Sequence, residues 1–264
     1  MEQQKWQAGL PNKTVIVPQI EPLPFQVREA VNILRGNIQL SGYDVKTIAV
    51  TSALANEGKS SLAFRLAKSM AGLNKRTLFL DCDIRNSKVM SRYDIQEQTT
   101  GLTEYLCGRA ALYDIIYRTD DKWLDMIFTG AVAPNPSELI SGHLFNRMMG
   151  WLREHYDYVI VDTPPVNVVI DSVLISKQCD GTVLVLESGR TERAQAVRAR
   201  EQQEFGGIRI LGAVLNKMET GQGRYGYGRK YGYGYGYGYG YGESSSSVSR
   251  KSRKVKEKEQ PEAH

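Results

Sequence analysis

Cysteine and histidine are scarce, with three of each in 264 residues. Cys82, Cys107 and Cys179 form no CxxC pair and no cluster with a histidine, so neither a disulfide framework nor a zinc site is expected. That usage fits a reducing, cytoplasmic compartment. No apolar run approaches the ~20 residues that span a bilayer, and the opening MEQQKWQAGL lacks the apolar stretch of a secretory signal. Any work at a membrane is therefore expected to depend on recruitment. The body of the chain also lacks a charge excess. From Gly221 onward nine basic residues stand against four acidic ones, which accounts for the entire net charge of +5. A pI near 9 is then no argument for nucleic-acid binding.

What the tail has instead is tyrosine. Tyr225, Tyr227, Tyr231, Tyr233, Tyr235, Tyr237, Tyr239 and Tyr241 are eight of the chain's 15 tyrosines, and they alternate with glycine. Glycine carries the largest ordering entropy, and no apolar face here offsets it, so the segment is expected to be disordered with its phenols in solvent. The chain divides into a polar arm (1–24), one domain (25–220) and this tail (221–264). The tail has a Tyr-Gly cluster at 225–242 and a serine-rich, charged end at 243–264. The basic residues of that end interleave with Glu257 and Glu259, which reads as a solvated segment. About 200 residues suit a single domain with a sizeable core.

Within the domain, short apolar runs alternate with amphipathic stretches. Val27, Val31, Leu34 and Ile38 recur at helical spacing over 25–40. Strands are expected at 47–51, 77–80, 125–128, 158–161, 182–187 and 209–215. Helices are expected at 60–72, 102–106, 136–154 with Ser137 as N-cap, 171–178 and 192–205. Residues 86–120 read as less regular. Continuous apolar strands between helices predict a mostly parallel, doubly wound α/β sheet covered on both faces.

The segment from Ser52 to Ser60 follows a strand and opens a helix, the setting of a phosphate-binding Walker A loop, although Ala53 replaces its first glycine. In such a loop backbone amides face phosphate oxygens, a lysine neutralises them and a hydroxyl ligates magnesium. The ATP contact set is therefore Ala53, Leu54, Ala55, Asn56, Glu57, Gly58, Lys59, Ser60 and Ser61, with Arg85 either touching phosphate or holding its own loop. Two further strands end in aspartate, at Asp81-Cys82-Asp83 and at Asp162. Ligands of doubly wound sheets bind beyond such strand ends. Lys59, Asp81, Asp83 and Asp162 are thus the candidate catalytic residues, and Ser60, Asp83 and Asp162 the candidate Mg²⁺ ligands.

Glu57–Ser60 (EGKS), Asp81-Cys-Asp83-Ile-Arg85 (DxDxR), Asp162-Thr-Pro-Pro165, Asn135–Leu139 (NPSEL), Gly212–Asn216 and the terminal tyrosines together resemble the bacterial tyrosine kinases of the CpsD/CapB type. The resemblance covers about residues 27 to 242. It implies a P-loop NTPase fold related to MinD and ParA, with ATP and Mg²⁺ as cofactors. It also implies autophosphorylation of the tyrosine cluster, regulating the polymerisation and export of capsular or exopolysaccharide. The implied partners are a transmembrane Wzz-like chain-length regulator that activates the kinase at the inner face of the membrane, a phosphotyrosine phosphatase, and further copies of the chain in a possible ring. No nucleic acid is implied. The family's ring motif ExxRxxR is reduced here to Glu29 and Arg35 around Asn32.

In the mechanism that follows, Asp81 orients or deprotonates the phenol, Asp83 and Asp162 hold Mg²⁺ with Ser60, and Lys59 stabilises the transferring charge; Asp81 and Asp83 are open to exchange. Phosphorylation would reverse the tail's charge and expel it from an acidic pocket. Two rivals stand beside this reading. A partitioning-type ATPase switch is disfavoured by Leu54, which occupies the position of that group's second loop lysine. The other rival is a nucleotide-gated scaffold whose tail drives assembly.

Overall fold

The computed structural model describes residues 14–15, 24–93, 95 and 100–218, all within one compact unit spanning Met1–Thr220. The Tyr-Gly cluster, its eight tyrosines and nearly all of the N-terminal arm lie outside the described residues. Eight strands run β1 (Thr14–Val15), β2 (Thr47–Ser52), β3 (Thr77–Asp81), β4 (Tyr117–Thr119), β5 (Leu124–Ile127), β6 (Tyr158–Asp162), β7 (Gly181–Glu187) and β8 (Ile210–Asn216). The helices are α1 (Phe25–Leu40), α2 (Lys59–Ala71), α3 (Val89–Arg92), α4 (Leu102–Leu106), α5 (Pro136–Ser141), α6 (His143–His155), α7 (Asp171–Ser176) and α8 (Arg193–Phe205), with a 3₁₀ turn at Leu112–Asp114.

The sheet order is β1-β4-β5-β3-β6-β2-β7-β8. The six strands from β5 to β8 in that order are mutually parallel; β4 joins β5 antiparallel, and β1 pairs with β4 in parallel at the edge. Alternate residues serve opposite faces, as the pleat requires. Phe79 and Ile160 pack with Ile48, Val50 and the α1–α2 side chains Val31, Ile38, Phe64 and Met70. Leu78, Leu80, Val159 and Val161 pack with α4, α6 and α7 through Leu102, Phe145, Met148, Leu152 and Ile175. Helices on both faces explain why the central strands are apolar without alternation, and β2 is buried at all six positions.

Three expectations fail locally. The single helix over 136–154 is two helices, because Gly142 adopts an extended conformation (ψ 159°) between α5 and α6, and glycine is a weak helix former. Ser137 is not the N-cap. Asn135 takes that position with Pro136 in the first turn, and the Ser137 hydroxyl is used elsewhere. The stretch 86–120 also hides α3 and β4. β4 is three residues long and polar in the middle, too short for a period to register.

Candidate active site

β3, β6 and β2 lie side by side, and their carboxyl ends deliver the chemistry to one place. Asp81 is in register with Asp162, and Asp162 with Val50, two residues before the loop. The loop turns at Asn56 and Gly58, both at positive φ (67° and 94°), which glycine and asparagine tolerate best. α2 then starts on Lys59, so its first amides face the loop's concavity.

The loop is braced from behind. Glu57 is fully buried. Its carboxylate accepts from the Leu54 amide at 2.7 Å and from the Thr191 hydroxyl. Asn216 Nδ2, at the end of β8, donates to the Glu57 carbonyl at 2.8 Å, and Lys217 Nζ donates to the Asn56 carbonyl at 2.7 Å. A Cβ on Gly58 would lie 2.2 Å from Asn216 Nδ2. Gly58→Ala combines that overlap with a disfavoured backbone conformation. It is expected to weaken ADP binding at least tenfold in a fluorescent-nucleotide titration, and unchanged affinity would contradict this role of the glycine.

A cavity of about 550 Å³ opens over the loop. Of the expected ATP contacts, Ala55, Asn56, Gly58, Lys59, Ser60, Ser61 and Arg85 line it. Ala53 and Leu54 turn instead into a small apolar cluster with Val166, Leu184 and Ala199, and the Glu57 side chain is engaged inside the loop. The expectation of an acidic pocket is overturned. Among the described residues Asp83 is the one carboxylate on the wall, against Lys59, Arg65, Arg85, Lys88, Arg92 and Lys217, because Asp81 and Asp162 are buried behind it.

Those buried carboxylates define the electrostatics. Lys59 Nζ lies 3.0 Å from Asp83 Oδ2, 3.5 Å from Asp162 Oδ1 and 3.3 Å from Ser60 Oγ. Burial works against its ammonium, but Asp162 and Asp83 outweigh burial and raise its pKa. Burial, then the charge of Asp162, pushes Asp81 up to about 7. Burial likewise raises Asp162, opposed by Lys59. Asp81 Oδ1 accepts the Asp83 amide at 3.2 Å, and Oδ2 accepts the hydroxyl of Ser87. Cys82, between the two aspartates, points the opposite way into the core with Leu78 and Leu80.

The residues fit a magnesium nucleotide. The Asp162 carboxylate is fully buried with Lys59 Nζ 3.5 Å from Oδ1, and neither oxygen is in a well-formed hydrogen bond, so it has acceptor capacity left for a cation or its water shell. Among the described residues no three His, Cys, Asp or Glu side chains form a metal cage. Mg²⁺ suits such a site, since it usually binds one or two carboxylates plus phosphate and water. Ser60, Asp83 and Asp162 are the side chains that would hold it.

Sequence reasoning missed one network. Arg85 does not point at the loop lysine. It forms a two-pronged pair with buried Asp171 at 2.6 and 3.2 Å, and its Nη2 donates to Ser137 Oγ at 2.9 Å. Ser137 in turn donates to Asp171 at 2.6 Å. This ties the loop after β3 to α5 and α7, and the chain pattern offers no periodic signal for Asp171. The two residues expected at a subunit contact are engaged within the chain. Arg35 Nη1 donates to the Ser69 carbonyl and hydroxyl of α2 at 2.9 and 2.8 Å, and Glu29 accepts from Asn32 at 3.0 Å.

Known proteins are similar in sequence and fold. The AAA domain family matches residues 45–188. Tyrosine-protein kinase CpsD of Streptococcus agalactiae is 40% identical over 201 residues, covering 76% of this chain and 88% of CpsD. The crystal structure of the chimerical protein CapA2B2 superposes with a TM-score of 0.71 at 31% identity, covering 82% of this chain and 98% of that one. The cell division ATPase MinD of Pyrococcus furiosus, at 18% identity and a TM-score of 0.58 over 67% of this chain and 74% of its own, shares the fold alone. A P-loop α/β fold, a loop lysine among three strand-end aspartates, and 40% identity over three quarters of the chain place it in the bacterial tyrosine-protein kinase family of CpsD, and the chain is a tyrosine-protein kinase.

Proposed function

We propose that this kinase phosphorylates its own C-terminal tyrosines, Tyr225, Tyr227 and Tyr231 through Tyr241, and by doing so regulates the polymerisation and export of a capsular or extracellular polysaccharide. The single observation behind the reading is the Ser87 hydroxyl on Asp81 Oδ2, beside Lys59, Asp83 and Asp162. The contact supports an O–H acceptor role for Asp81, and a tyrosine O–H would displace Ser87 to reach this buried carboxylate. With pKa near 10 a phenol is a poor nucleophile at neutral pH. Asp81, held near 7, is poised to accept its proton. The phenol oxygen then bonds to the γ-phosphorus, the bond from that phosphorus to the β–γ bridging oxygen breaks, and ADP leaves. Lys59 and the loop amides stabilise the charge on the transferring group. Ser60, Asp83 and Asp162 would hold Mg²⁺, whose charge would offset that of the phosphates and ease the repulsion between Asp81 and Asp162.

Among the described residues no helix is long and apolar enough to cross a membrane. Recruitment and activation are assigned to the cytoplasmic end of a transmembrane chain-length regulator, with a phosphotyrosine phosphatase resetting the tail and other copies of the chain as assembly partners. The test is incubation of the full chain with MgATP and that regulator segment, read by intact-mass and peptide mass spectrometry, with Lys59→Met and Asp81→Ala in parallel. Several phosphates on the tail tyrosines, absent from both variants, are expected. ADP release with an unmodified tail would make the protein a nucleotide switch instead.

A further inference from the structure

One wall of the cavity takes no part in the chemistry above. Arg65 on α2, Lys88 just before α3 and Arg92 at the end of α3 all line it. Lys88 and Arg92 are exposed and Arg65 half-buried. Among the described residues none of the three pairs with a carboxylate. The wall adjoins the transfer site. The Arg92 guanidinium donates to the hydroxyl of Ser61, the residue after Ser60, and Arg65 lies one turn further along α2. Arg92 and Arg65 both act electrostatically on the buried Tyr93 phenol between them and the core. Three cations without a carboxylate partner among the described residues, on a cavity wall next to a phosphoryl-transfer centre, offer a place for an anion other than the nucleotide's phosphates, which the loop amides and Lys59 face.

The tail sequence supplies a matching pattern. In an extended chain, residues two apart project from the same side, roughly 6.6–7 Å from one another. Every odd position from 225 to 241 is tyrosine except Arg229, so an extended acceptor presents all its phenols to the kinase on one side. A phosphotyrosine carries about −1.5 to −2 charge and three acceptor oxygens, which guanidinium groups bind through paired hydrogen bonds. We propose that Arg65, Lys88 and Arg92 form a phosphotyrosine subsite that holds an already modified tail tyrosine while its neighbour two residues away enters the transfer site.

The inference rests on the tail being the acceptor. Under it, one phosphate makes the next addition easier, and modification runs along the Tyr231–Tyr241 block. Arg229 stands on the same side of the repeat and is repelled by the wall, so Tyr225 and Tyr227 form a separate block.

The test uses the full chain with its eight tail tyrosines changed to Phe, in MgADP and low salt. Fluorescence anisotropy compares labelled Gly-Tyr-Gly-Tyr-Gly-Tyr-Gly with the same peptide phosphorylated on the central tyrosine. The phosphopeptide is expected to bind at least tenfold more tightly. Arg65→Gln/Lys88→Gln/Arg92→Gln should bring the two peptides within twofold of each other, while Arg28→Gln/Lys122→Gln, which removes exposed charge elsewhere, should keep the preference. Thermal melting checks that each variant is folded. Equal binding of the two peptides by the parent chain, or a preference that survives the triple substitution in a folded protein, overturns the subsite. In the chain with its natural tail, intact-mass spectra should pass from unmodified to multiply phosphorylated with few singly modified molecules, and the triple variant should accumulate the singly modified form. A chain that never acquires tail phosphate would refute the autokinase reading, and the peptide comparison would still decide the subsite.

Discussion

Asp81→Asn is expected to lower the turnover of tyrosine phosphorylation about 10³-fold, in the range general-base catalysis contributes, with the KM for ATP changed less than about threefold. Asparagine keeps the shape. Its carbonyl oxygen can still accept the Asp83 amide and its NH₂ can face the Ser87 hydroxyl, so only proton acceptance and charge are lost. The wild-type kcat/KM should climb with pH and level off above about 7, following the value to which burial and Asp162 raise Asp81, and the variant should lack that limb.

The same substitution is expected to stabilise the protein in the absence of nucleotide and metal. A carboxyl whose folded pKa exceeds its unfolded value near 3.8 binds its proton more readily in the folded state. Its contribution to stability is therefore full below about 4 and is lost as pH rises through about 7. The amide side chain of the variant carries no charge, so its melting temperature should exceed the wild type's at pH 8 in EDTA, with the gap closing by pH 4. A variant that is less stable than the wild type at pH 8 would mean that the Asp81 charge is well compensated, and the base assignment would lose its electrostatic footing.

The second large effect lies away from the cavity. Tyr156→Phe is expected to cost about 2–3 kcal/mol at pH 8, because it strips a hydrogen bond from a buried carboxylate. Tyr156 and Asp125 are both buried, and the phenol donates to Asp125 Oδ2 at 2.9 Å. Burial raises Asp125 to about 6, with the Tyr156 hydrogen bond pulling the other way. Above pH 6 the carboxylate is charged and misses its donor. Below that it takes a proton and the loss shrinks. Urea unfolding at pH 5 and pH 8 checks this, and the same loss at both pH values would exclude ionised Asp125 as the cause.

The convergence of Asp81 and Asp162 beside the loop was legible because each ends a strand, β3 and β6. An apolar run that ends on Asp81 or Asp162 announces both a buried strand and a polar terminus, and EGKS announces the helix that follows. The sheet's parallel core was legible for the same reason, since β2, β3, β6 and β7 are apolar on both faces. What the sequence hid depends on distance in the chain. Asp171 reaches Arg85 across 86 residues and Thr191 reaches Glu57 across 134, and neither partner stands in a pattern that names the other. The acidic pocket was misjudged because counting carboxylates in a motif does not say which are buried. Asp81 and Asp162 lie behind the wall, and cations from α2 and the loop leading into α3 face the opening. β4 and the break at Gly142 were missed because three residues are too few to show a period, and a lone glycine in a helical pattern is usually absorbed.

Cys82 has a chemical consequence of its own. It stands between the two aspartates of the DxDxR motif, yet it is fully buried on the far side of the strand, and burial, then Asp81, pushes its thiol well above the usual range. Only a thiolate attacks electrophiles or peroxide. The sulfur closest to phosphoryl transfer is therefore among the least reactive in the chain, while Cys107 is exposed. Oxidants and alkylating reagents should mark Cys107 first and leave the transfer site chemically intact, which separates this kinase's activity from the redox state of its surroundings and makes Cys107 a natural position for a probe.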